Sequence, residues 1–139
     1  MINILLDTNV LLDICLNRMP FVDDALEIFK AIELKKIKGH VTATTITDIY
    51  YIARKQKEHE LAINFISSLI ETVTVVGVNR RIISDAILLD WSDYEDALQY
   101  TVGKKANVSA IVNRNTIDFS ASDISVFTPR QFVLQLSKD

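Results

Sequence analysis

The sequence predicts an α/β fold in which a parallel sheet is covered by helices on both faces. Three observations carry that prediction. Short apolar runs alternate along the chain with longer stretches at helical spacing, as parallel crossovers require. The 139 residues are 49% hydrophobic and 24% charged, enough to close one core. Three glycines and two prolines leave no linker, so residues 1–139 read as a single domain.

The elements follow in order. Ile2 to Leu6 is a mostly apolar run, expected to be a buried strand that Asp7 ends. Asn9 to Leu16 reads as a short helix. Pro20 opens a longer one to about Ile37, with Phe21, Ala25, Ile28, Phe29 and Ile32 at helical spacing and Gly39 as its stop. His40 to Thr44 is the second strand. Thr45 and Asp48 have capping-box spacing and start the next helix, and Glu58 to Ile70 forms another. Val73 to Val78, rich in β-branched residues, is the third strand. Asn79 caps a helix to about Leu89, and Ser92 with Glu95 forms a second capping box for a helix to about Lys104. Ser109 to Val112 and Ser125 to Phe127 are the last strands. Thr128, Pro129 and Gln131 supply cap, first position and box for a final helix.

In such sheets, ligands sit beyond the carboxyl ends of the strands where strand order reverses. The residues that follow strands therefore carry the functional expectation: Asp7, the Thr45–Asp48 turn, and the Asn113–Phe119 loop. Asp90, Asp93, Glu95 and Asp96 crowd nearby in sequence. Asp93 and Asp96 are one helical step apart and share a face. Carboxylates packed together repel, the more so when desolvated, unless a cation compensates. An oxygen-only set suits Mg²⁺ or Mn²⁺, and such an ion serves phosphodiester hydrolysis without a covalent nucleophile. His40 and His59 form no zinc motif with Cys15, the one cysteine. The sequence has no Walker motif, GxGxxG or GxSxG.

Each acid also has a structural use. Asp7 is a ready N-cap, Asp48 fits a capping box, and the later acids suit a first turn. Arg114 fits either a scissile phosphate or a plain surface position. The net charge of −3 and pI near 5.3 give no broad positive field of the kind a DNA-coating protein shows. Lys35-Lys36-Lys38, Arg54-Lys55-Lys57, Arg80-Arg81 and Lys104-Lys105 are local basic groups. The first residues lack a basic stretch and a cleavage site, no apolar run is long enough to cross a bilayer, and a lone cysteine suits a reducing cytoplasm.

The string Leu5-Leu6-Asp7-Thr8-Asn9-Val10-Leu11-Leu12-Asp13 resembles the opening motif of PIN-domain nucleases, including VapC-like toxins. Asp93-Tyr94-Glu95-Asp96-Ala97-Leu98-Gln99 resembles the third acidic motif of that family, and Ile111 to Phe119 its closing loop. The resemblance implies a three-layer α/β/α sandwich with a mostly parallel five-stranded sheet. It implies a Mg²⁺- or Mn²⁺-dependent endoribonuclease for single-stranded RNA, cytoplasmic, commonly a homodimer, with an antitoxin protein as partner. Carried over by position, Asp7, Asp96 and Asp118 are metal ligands, and Asp48 is the fourth catalytic acid. Thr8, Asn9, Asp93 and Asn115 support them, and Arg114 binds substrate. Two departures stand out: Asp48 where the family usually has Glu, and Asn113 where Thr is usual. The loop also offers Asn115 beside Asp118 for the last acidic position.

Two readings compete. A PIN fold that has lost catalysis would act as an RNA- or protein-binding module. An aspartyl phosphotransferase would need a second Asp two residues after Asp7, where Asn9 stands.

Overall fold

The computed structural model describes residues 1–119 and 121–138, with the side chain of Asp118 outside the description. Five strands, β1 (Ile2–Leu6), β2 (Ile37–Thr42), β3 (Thr74–Val76), β4 (Ala110–Val112) and β5 (Ser125–Phe127), form one sheet in the order β3-β2-β1-β4-β5. Every neighbouring pair is parallel. The helices are α1 (Thr8–Cys15), α2 (Val22–Glu33), α3 (Ala43–Gln56), α4 (His59–Thr72), α5 (Arg80–Leu88), α6 (Tyr94–Lys105) and α7 (Pro129–Ser137). A 3₁₀ turn spans Ile117–Phe119. This is the expected three-layer sandwich.

The central strand divides the core by its period of two. Ile4 and Leu6 join Leu11, Ile28, Val41, Ile49, Leu69 and Phe132 on one face, beneath α1–α4 and α7. Leu5 joins Ile82, Ala97, Val102, Ile111 and Phe119 on the other, beneath α5 and α6. Register places Leu5 beside His40 on one side and Ile111 on the other, so β1 is buried between neighbours. Among the described residues, no helix is long and apolar enough to cross a membrane.

Several boundaries differ from the sequence expectation. The α2 helix ends at Glu33, not near Ile37. Lys35 turns it in the left-handed region at φ 59, and the amides of Lys35 and Lys36 bond back to the carbonyls of Ile32 and Ala31. A Schellman turn built on Lys has no glycine to announce it. Gly39 is therefore not a stop but lies inside β2, where α2 approaches so closely that an added Cβ would sit 2.6 Å from Ile32 Cδ1. The Thr45–Asp48 capping box does not form: α3 begins at Ala43, and Thr45 is buried within its first turn. At α6 the cap is Asp93, whose carboxylate accepts from the Asp96 amide at 3.1 Å, so Ser92 is not the cap. Asn79 caps α5 through the Ile82 amide, and Thr128 with Gln131 completes a capping box on α7, both as expected.

Candidate functional site

The chain runs outward from β1 through β2 to β3, then crosses back to β4 on the other side of β1 and on to β5, so strand order reverses between β1 and β4. A cleft of about 320 Å³ opens there, beyond the carboxyl ends of the strands. Asp7, Thr8, Asn9, Asp48, Ile52, Asp93, Glu95, Asp96, Asn113 and Asn115 line it. Four separate chain segments thus meet at one mouth.

Asp7 takes the N-cap of α1, its carboxylate accepting from the Asn9 amide at 3.1 Å. It is 4% exposed. Burial, the largest influence, pushes its carboxyl up to about 6, against the amide bonds of Asn9 and Thr8; Asp93 adds to the rise and Arg114 opposes it. Capping and function are therefore not exclusive here. The same carboxyl group caps the helix and stays costly to ionise.

Asp48 comes from the second turn of α3 and Glu95 from the first turn of α6. Burial raises both, and they share a hydrogen bond that lowers Asp48 and raises Glu95. Asp48, Asp7 and Asp93 each push Glu95 further up. Asp96 is buried one turn into α6, and the small Ala97 beside it is 1% exposed against the sheet. In the sequence Glu95 counts as one of four crowded acids and as a capping partner, with no site role of its own. Its signal was its place between Asp93 and Asp96 at a helix start, where the first turn faces the strand ends.

The loop after β4 closes the cleft. Asn113 is buried and its side chain accepts from the Asn115 amide at 2.9 Å, while Asn115 accepts from the Ile117 amide at 3.2 Å. These turns aim the loop across the mouth. The Asp118 side chain lies outside the described residues, so its ligand role remains an expectation. Arg114 has a structural engagement: its Nε lies 3.2 Å from Asp13 Oδ2, and its guanidinium stacks 4.3 Å over Phe21. It also sits near enough to lower Asp7.

The polar lining groups carry oxygen or amide atoms; Asp93 raises Asp7, and Asp48, Asp7 and Asp93 raise Glu95. That excess of negative charge fits a hard divalent cation. Among the described residues, no three acids form a closed cation-holding group. Mg²⁺ and Mn²⁺ tolerate such an open set, because they keep several waters and take one or two carboxylates.

The family model described as PIN domain matches residues 3–117. The chain is 25% identical over 134 residues to Ribonuclease VapC1 of Aquifex aeolicus, covering 93% of this chain and 92% of that protein. Its fold resembles a toxin–antitoxin complex from Klebsiella pneumoniae with a TM-score of 0.67 at 21% identity, covering 90% of this chain and 96% of the other. It also resembles VapC20 of Mycobacterium tuberculosis, a sarcin-ricin loop cleaving toxin, with a TM-score of 0.69 at 13% identity, covering 85% and 94%.

Proposed function

The chain belongs to the PIN-domain family, and from that premise we propose that it is a divalent-metal-dependent endoribonuclease that cuts single-stranded RNA in the cytoplasm as the toxin of a toxin–antitoxin pair. One observation carries the reading: Asp7, Asp48, Asp93, Glu95 and Asp96 converge from separate elements on one polar cleft at the switch point of the sheet. The toxin assignment rests on the VapC relatives, and an antitoxin protein is the partner it implies.

In this reading Asp7, Asp96 and Asp118 hold Mg²⁺ or Mn²⁺, with Asp48 as the fourth acid. The cation supplies Lewis acidity for water and for the scissile phosphate. Asn9, through its amide, fixes the Asp7 carboxylate. Asp93 fixes the first turn of α6 through the Asp96 amide, which orients the acids that follow. Asn113 and Asn115 shape the loop against which the RNA backbone lies. Arg114, anchored by Asp13, offers its remaining N–H groups to a phosphate. Two copies of the chain associate as a homodimer.

The test uses purified protein, a panel of fluorescent single-stranded RNAs, and Asp7→Asn and Asp96→Asn variants that fold. Cleavage that needs Mn²⁺ or Mg²⁺ and is lost in both variants is the expected result. A second reading, an inactive PIN-fold binding module, draws on the absence of a closed three-acid group among the described residues. It requires that calorimetry detect no Mn²⁺ binding by the folded wild type and that no RNA be cut.

A further inference from the structure

We propose that Thr42, Thr45 and Gln99, none of them lining the cleft, are positioning residues whose buried hydrogen-bond chain to Thr8 sets the spacing of the acids. The inference rests on the metal-dependent reading above. Thr42 Oγ1 donates to Gln99 Oε1, Gln99 Nε2 donates to Thr45 Oγ1 at 3.0 Å, and Thr45 Oγ1 meets Thr8 Oγ1 at 2.9 Å. Thr42 and Thr45 are 0% exposed, Gln99 1%.

Three of the four links stand near an acid. Thr8 follows Asp7, Thr45 precedes Asp48 by three positions, and Gln99 follows Asp96 by three. Three positions along a helix keep both side chains on one face. The chain therefore ties the end of β1, the start of α3 and the first turns of α6, the elements that bring the acids together. Those acids repel one another in a partly desolvated cleft, and the buried chain resists their separation.

Helix capping points the same way. Thr42 occupies the N-cap of α3 yet makes no side-chain cap bond. It forgoes the stabilisation a capping hydroxyl gives, and its hydroxyl goes to Gln99 instead. A carboxamide at position 99 accepts from Thr42 and donates to Thr45 in one orientation, which neither a carboxylate nor an apolar side chain does.

The test compares Thr45→Val, which removes the hydroxyl at nearly constant volume, with Thr45→Ser, which keeps it. Thermal denaturation confirms folding, calorimetry reads Mn²⁺ affinity, and RNA cleavage gives kcat and KM separately. We expect Thr45→Val to weaken Mn²⁺ binding by about tenfold or more and to lower kcat with little change in KM, with Thr45→Ser restoring most of both. If Thr45→Val does not fold, Thr42→Val cuts the far link, leaves Thr45–Thr8 intact and carries the same expectation at smaller size. Wild-type affinity and kcat in a folded hydroxyl-deleted variant, or equal damage from Thr45→Ser, would overturn the proposal alone. Mn²⁺ binding without RNA cleavage by the wild type would remove the nuclease reading while the affinity comparison still decides this one. No Mn²⁺ binding by the wild type would overturn both.

Discussion

Asp7 and Asp13 are both out of water, at 4% and 0% exposure, but their surroundings are opposite. Asp13 lies 3.2 Å from Arg114 Nε and 3.8 Å from an Arg18 nitrogen. Burial raises its carboxyl, and the two guanidiniums pull it back. Its oxygens have no well-aligned hydrogen bond, so the contact is one of charge more than of geometry. Asp7 has amide bonds and a more remote Arg114, and it faces Asp93 and Glu95 across the cleft. The chain has thus set two guanidiniums against one buried acid, offsetting part of its burial cost, and left its neighbour facing other acids. A compensated acid serves the fold, whereas an uncompensated one at the mouth of a cleft is ready for a cation that arrives from solvent.

Replacing each acid tests that contrast from opposite sides. Asp7→Asn keeps an N-cap residue but removes the charge, and should reduce metal-dependent RNA cleavage by about a thousandfold, on the order of 4 kcal/mol of barrier, in single-turnover assays. Asp13→Ala should cost stability instead, about 3 kcal/mol in urea denaturation. That is the low end for breaking a buried pair, because both arginines keep some contact with water. Equal loss of stability in the two variants would erase the comparison.

The pH dependence has a definite sign. The folded Asp7 carboxyl, near 6, holds its proton more tightly than the unfolded one at 3.8. The stability this gives is fully present below about pH 4 and is lost as pH rises through 6. Above pH 6, Asp7→Asn should therefore be more stable than wild type by about 2–3 kcal/mol, and the gap should close in acid. Without that convergence in denaturation curves taken from pH 4 to 7, burial is not what raises Asp7. Proton competition should also weaken Mn²⁺ binding below about pH 6, by up to about tenfold per pH unit, in calorimetry across the same range. The smallest effect belongs to Arg114→Lys. It keeps the charge but loses the planar stack on Phe21, and should cost about 1 kcal/mol by the same denaturation measurement.

The sheet was legible wherever an apolar run met a polar residue at its end. Ile2–Leu6 followed by Asp7, and Ala110–Val112 followed by Asn113, put two segments of the site in place from sequence alone. The stretch from residue 33 to 39 was not legible, because Ile37 continues the helical spacing of α2 while Lys35 breaks the helix in a conformation that no residue type there advertises. Ser92 and Asp93 both make good caps, and only the packed structure chooses between them. Asp7, Asp48, Asp93, Asp96 and Asn115 were all singled out from sequence and all line the cleft. Glu95 was counted among the crowded acids but given no site role, since its spacing from Ser92 also offered a capping use. The bonds that join Thr42, Thr45 and Gln99 escaped, because hydrogen bonds between residues dozens of positions apart leave no local pattern.

The central place of β1 has a consequence for the order in which the molecule is made. Its first neighbour, β2, is synthesised soon after it, but its second, β4, comes only at residues 110–112. Until then one edge of β1 is bare, and the loop of Asn113 and Asn115 that closes the cleft does not exist. A growing chain can assemble α1 to α4 early on one face, yet it holds no finished cleft until nearly the whole domain has left the ribosome.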